Sequence, residues 1–215
     1  MPALIVATLL AVAMAIAAPL MVRWLPSPSE DPSVRFDELA TPRFRIQLFA
    51  TVLLSGTLSL AFTPPTLWPV WIPVVCLGSL LGLIDAHTTF LPLRLHYVSM
   101  ALVGAGVALS AGLRGDPAAV GWAIGVATLA TLGYGLIWRV SGGQLGFGDV
   151  RLAGLLGLAA GATSPTVALW CFLLGSFVGA AWAIVVRIRG RRAFAYGPSM
   201  LLGAPLALLL TAATG

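Results

Sequence analysis

Apolar residues in this chain fall in long unbroken runs, not in the alternating pattern of a half-buried strand or the striped pattern of a surface helix. About 20 predominantly apolar residues are needed to cross a bilayer. Eight runs approach or reach that length: 2–22, 46–62, 68–84, 96–112, 117–138, 150–163, 165–186 and 198–213. They predict an all-α fold, a polytopic membrane helix bundle of about eight transmembrane helices. The first run has no positive residue ahead of it, and its nearest charge, Arg23, follows it. That polarity fits an anchor and not a cleaved signal peptide. The sixth run is short and begins beside Arg151, so length alone leaves open a re-entrant segment.

Composition removes the soluble alternative. Of 215 residues, 59% are hydrophobic and 9% charged, where a soluble domain is about 25% charged. The twelve basic side chains are all arginine. Eight crossings would put Arg23, Arg35, Arg43 and Arg45 in the first connection and Arg94 in the third. Arg139 and Arg151 fall in the fifth, and Arg187, Arg189, Arg191 and Arg192 in the seventh. Only Arg114 falls in an even-numbered connection. The positive-inside rule then places the odd connections in the cytoplasm and both termini outside. A sixth run that failed to cross would send the 187–192 cluster to the wrong side. No basic face with interleaved aromatics is present, so nucleic acid is not an expected partner.

Other features have structural readings. Four Gly-xxx-Gly pairs (Gly78/Gly82, Gly121/Gly125, Gly157/Gly161, Gly175/Gly179) let helix backbones approach closely in lipid. Trp24, Trp68 and Trp138 lie near span ends, where indoles suit the headgroup layer. Cys76 and Cys171 sit in mid-run without a CxxC pair, so no metal site is expected. Residues 24–44 form a polar cytoplasmic loop with a surface helix expected around Arg35–Leu39. The chain is read as two parts: residues 1–67, N-terminal transmembrane helices with this loop, and residues 68–215, the remaining membrane helices.

Four of the seven acids (Glu30, Asp31, Asp37, Glu38) lie in that loop. Asp116 precedes Pro117 on the outer side and is expected to cap a helix. Asp85 ends the third run and Asp149 opens the sixth, both on the cytoplasmic face. Carboxylates so near lipid are expensive and mark proton paths, ion sites or catalysis. Two on one face can share a proton, one acting as general base on water while the other polarises a carbonyl. Ahead of Asp149 runs Gly142-Gly143-Gln144-Leu145-Gly146-Phe147-Gly148, where glycine permits positive φ and close approach of a substrate backbone. His87, two residues after Asp85, is read as a polar residue facing water.

Three segments carry a resemblance: Asp85-Ala-His-Thr-Thr-Phe-Leu91-Pro92; Gly146-Phe147-Gly148-Asp149-Val-Arg151-Leu152; and Tyr196-Gly197-Pro198-Ser-Met-Leu-Leu-Gly203-Ala204. In this order they resemble the type IV prepilin peptidase family, whose GxGDxKL pattern appears here with Arg151 for lysine. The resemblance covers about 68–215. It implies a membrane aspartic endopeptidase of the bacterial plasma membrane, cutting the leader from prepilins or pseudopilins at the cytoplasmic face. It also implies Asp85 and Asp149 as catalytic residues. Gly146, Phe147, Gly148, Arg151, Pro92, Gly197 and Pro198 would bind substrate or shape the loops. No cofactor is implied, and the family's four-cysteine cytoplasmic domain has no counterpart, so methyltransferase activity is not expected. Presenilin-like proteases share a GxGD aspartate, but here Ile84 precedes Asp85 and the late segment reads Ala204-Pro205-Leu206. The alternative of another class is a proton- or cation-coupled transporter using the same two acids.

Overall fold

Eight long helices form where the apolar runs lie. The computed structural model describes residues 1–28, 31–142, 144–190 and 195–214. We number the helices α1 (Pro2–Trp24), α2 (Pro42–Ala61), α3 (Pro65–Thr88), α4 (Leu93–Arg114), α5 (Ala118–Val140), α6 (Phe147–Thr163), α7 (Pro165–Ile188) and α8 (Gly197–Thr214). No strand is present among the described residues. Seven of the helices, all but α6, are long and apolar enough to cross a membrane, which makes this a multi-pass membrane protein by length and composition.

Helix α6 is the centre of the bundle: twelve of its seventeen residues are buried. An apolar helix buried on every side needs no amphipathic stripe. Its length of about 25 Å at 1.5 Å per residue falls just short of the hydrocarbon thickness. It pairs antiparallel with α5: an added Cβ at Gly157 would lie 2.8 Å from the Ala127 Cα, and one at Gly161 2.8 Å from the Trp122 oxygen. Towards the other end, Gly135 faces Val150. Helix α6 therefore retraces most of the depth of α5.

The remaining helices surround this core. The α1/α2 hairpin is tied by Arg45 Nε donating to the Ala15 carbonyl at 2.9 Å. Helix α2 lies antiparallel to α3, through Ser55 and Ser79 hydroxyls 3.1 Å apart and a Gln47–His87 hydrogen bond of 3.0 Å. Within α3, Pro73 is followed by a π-helical stretch, Val74–Gly78. Such a wide turn shifts the side-chain register of the segment that ends at Asp85. At one end of the bundle Trp71 Nε1 donates to Thr163 Oγ1 at 3.1 Å, and an Arg114 guanidinium N–H donates to the Ala162 carbonyl at 2.9 Å. The end of α3 and the start of α6 accordingly meet at the opposite end.

Three of the four glycine pairs serve close packing. Gly157 and Gly161 meet α5, Gly175 and Gly179 meet Met200 and Tyr196, and Gly78 and Gly82 take the Leu201 side chain. Gly121 and Gly125 differ: nothing lies within 4 Å of a Cβ added at either. That pair faces outward and contributes nothing to the bundle. Asp116 also departs from expectation. It lies in the turn joining α4 to α5, and its carbonyl accepts the Ala119 N–H at 3.3 Å. The residue before α5 is Pro117, and no side chain caps the helix.

The 24–44 segment is more than a surface loop. Only a 3₁₀ turn, Phe36–Leu39, forms in the expected region, and its first residue is 2% exposed. Leu25 is buried as well. Glu30, Gly143, Arg191 and Arg192, used above in the charge and loop reading, lie outside the described residues. Cys76 and Cys171 are buried and unpaired with each other.

Candidate functional site

The last turn of α3 and the first turn of α6 carry Asp85 and Asp149, 4% and 8% exposed. Both line one cleft of about 400 Å³, and the two carboxylates are within electrostatic reach of one another. They are the only acids among the described residues that are buried. Asp116 lies near the opposite end of the bundle, on the turn that follows Arg114.

A backbone N–H holds the Asp85 carboxylate, and the first turn of α6 places Asp149. Gly197, the first residue of α8, donates its N–H to Asp85 Oδ2 at 2.9 Å. A Cβ on Gly197 would come within 2.7 Å of that oxygen, so only glycine lets the backbone approach this far. Asp149 sits in the first turn of α6, and its N–H donates to the Gly146 carbonyl at 3.0 Å. The side chain folds back so that Oδ2 lies 3.2 Å from where a Gly146 Cβ would stand.

The glycines around Phe147 do not take positive φ; what they allow is close approach. Gly146 is extended with φ −67°, and Gly148 lies within the helix; among the described residues the glycines with positive φ are Gly115, Gly142 and Gly190. Close approach is the reason for Gly148. A Cβ there would stand 2.9 Å from Leu91 Cβ and 3.0 Å from Leu91 Cδ1. The loop after Asp85 thereby seats directly on the helix that carries Asp149. Gly148→Val would push against a Cβ, which moves only with its backbone, and so displace Leu91 from the cleft wall. Cleavage by the mechanism proposed below is expected to fall about tenfold or more, with normal membrane insertion. Initial rates of the variant in proteoliposomes check this, and full activity would mean that the contact organises nothing.

The loop itself is strained at one residue. Thr89 ends α3 with φ 59°, and its N–H donates to the Asp85 carbonyl at 2.7 Å. A β-branched residue in the left-handed region is an outlier that its surroundings must hold. The turn delivers Thr89, Phe90, Leu91 and Pro92 to the cleft, with Pro92 extended immediately before α4.

Of the other residues singled out by sequence, Gly146, Phe147, Gly148, Arg151 and Pro92 all line this cleft. The Arg151 guanidinium stands 4.7 Å over the Phe147 ring, which packs in a T-shaped arrangement with Trp138, ring centroids 5.2 Å apart. Gly197 reaches the site through its hydrogen bond to Asp85. Pro198 does not line it; it borders a second groove between α2, α3 and α8. His87 is exposed at the end of α3, bonded to Gln47 and 5.8 Å from the Phe44 ring, and does not line the cleft.

Contributors outside the sequence reading are Pro26, Ser27, Pro28 and Phe36, which line the cleft, brought there from the polar segment that precedes α2. His96, 5% exposed in the first turn of α4, does not line it. Chemically, the site offers two carboxylates, backbone that a peptide can approach, and apolar walls. No group of three or more metal-ligating side chains occurs among the described residues. No protein-family model, curated protein or solved structure matches the chain.

Proposed function

We propose that the protein is a membrane-embedded aspartic endopeptidase that removes the leader of type IV prepilin-like or pseudopilin substrates. The observation that carries the reading is the juxtaposition of Asp85 and Asp149 in one cleft, lined by residues of the first two resemblance segments, with Gly197 of the third hydrogen-bonded to Asp85. In this mechanism one carboxylate takes a proton from water while the protonated partner hydrogen-bonds the scissile carbonyl. The resulting tetrahedral intermediate collapses as a proton passes to the leaving amine, and the C–N bond breaks. The Gly197 N–H orients Asp85 by occupying one oxygen, leaving the other for water or substrate. One acid must be charged and the other protonated, so the rate falls on both sides of a pH maximum.

The reading includes eight membrane passes, with α6 as the sixth, both termini outside and the cleft at the cytoplasmic face of a bacterial plasma membrane. The arginine distribution supports this orientation, as does the antiparallel run of α6 along α5. Single cysteines at Ser33 and Ser141 should react with impermeant label only from the cytoplasmic side, and one at Thr66 only from outside. Labelling of position 141 from outside would contradict both the count and the shared face. A coupled transporter remains the rival from another class. Proteoliposomes assayed in parallel for prepilin cleavage and proton uptake separate the two: cleavage without flux is expected, whereas flux without cleavage would favour transport.

A further inference from the structure

The connection between α1 and α2 does more than join two helices. Those helices are already paired along their length, yet the connection buries Leu25 and Phe36 within the most polar stretch of the chain. It brings Pro26, Ser27, Pro28 and Phe36 to the same cleft as the two aspartates. Its path is braced at several points. Arg94, one residue beyond the cleft residue Leu93, stands 5.8 Å over the Trp24 ring at the start of the strap. Pro26, Pro28 and Pro32 each fix a backbone angle. The Asp31 carboxylate accepts the Ser33 N–H at 3.0 Å. An Arg35 guanidinium N–H donates to Asp37 Oδ2 at 2.9 Å across the turn that holds Phe36. That hydrogen bond holds the exposed Asp37 carboxyl below the usual carboxylate range, so the brace is charged at neutral pH.

We infer that this strap is a substrate-contacting wall of the cleft, with Phe36 and Ser27 setting the side-chain volume accepted beside Asp85 and Asp149. The inference rests on the endopeptidase reading. A peptide lying across the two carboxylates is bounded by Leu91, Pro92 and Phe147 from the catalytic loops and by Pro26–Pro28 and Phe36 from the strap. Because Phe36 is wedged between strap and core, its ring sets how near the strap stands to the reacting groups. Truncating it enlarges the cleft where a flanking side chain must fit, whereas a larger residue at exposed Ser27 narrows it. Small volume changes in an apolar pocket discriminate substrates by about 10- to 200-fold.

The test uses the full chain in proteoliposomes and prepilin-type substrates carrying Ala or Leu at each residue flanking the cleaved bond, one position at a time. The readout is the ratio of kcat/KM for the Leu and Ala forms. Phe36→Ala should shift this ratio towards leucine by about tenfold at one flanking position, and Ser27→Phe should shift it towards alanine at the same position. Thr8→Phe, on the exposed face of α1 and outside the cleft lining, should leave the ratio unchanged. If Phe36→Ala accumulates poorly, Ser27→Phe decides alone. Active Ser27→Phe with ratios within about twofold of wild type at both positions would overturn the inference and leave the peptidase reading intact. Failure of the wild-type protein to cleave any of the substrates would remove that reading, and this one with it.

Discussion

Asp85→Asn and Asp149→Asn should each abolish prepilin cleavage, and the double variant should be no slower than either single one. General acid–base catalysis contributes about 10²- to 10⁴-fold for each positioned group, and groups that work as a unit lose their effect together. Asparagine keeps the shape of the side chain and still offers an oxygen to the Gly197 N–H, but it can neither take nor deliver the proton. Folding should survive, because removing a charge from a site beside lipid relieves a desolvation cost. Asp116→Asn is the control: that acid lies at the other end of the bundle and its replacement should leave turnover unchanged. The comparison needs matched amounts of inserted protein and a quantitative cleavage assay. Substantial cleavage by a normally abundant single variant would mean that the carboxylates do not share the chemistry.

Gly197→Ala carries the second large effect and probes positioning instead of proton transfer. The new methyl group would stand 2.7 Å from Asp85 Oδ2 and 3.3 Å from its Cγ. Either the carboxylate turns away or the start of α8 retreats, and both disturb the oriented oxygen. A displacement of about 1 Å at reacting groups can cost about 10²-fold in rate. Alanine is a good helix residue, so the protein should still insert and remain monodisperse in detergent. The diagnostic pattern is a fall in kcat with helical content and abundance unchanged. An alanine variant with the wild-type kcat would show that the Gly197 hydrogen bond does not organise Asp85.

The helices were legible because lipid leaves a backbone no partner but itself, so each segment had to be a long apolar run. The two aspartates were legible for the complementary reason: charge at the edge of such runs is costly and therefore conspicuous. What depended on tertiary approach was not readable. Gly121/Gly125 and Gly157/Gly161 have the same spacing, yet the first pair faces outward while the second meets the α5 backbone. Gly148 was expected to allow positive φ or close approach of a substrate backbone, and it is helical and gives room to Leu91, 57 positions earlier in the chain. Gly197 approaches Asp85 across 112 residues, a contact no local pattern encodes. Phe36 was hidden by its neighbours: an isolated aromatic among charges reads as surface, and only the folded bundle shows it filling the gap beside the cleft.

Removal of a leader changes the mass of the substrate, which mass spectrometry reads directly. Wild-type protein in proteoliposomes, incubated with candidate prepilins, should convert them to a product shorter by a leader-sized mass. The new N-terminus should lie just before the hydrophobic helix, and both single Asp→Asn variants should leave the substrate intact. Intact prepilins after incubation with well-inserted wild-type protein, or a leader-sized loss that persists in both variants, would rule out a peptidase built on Asp85 and Asp149.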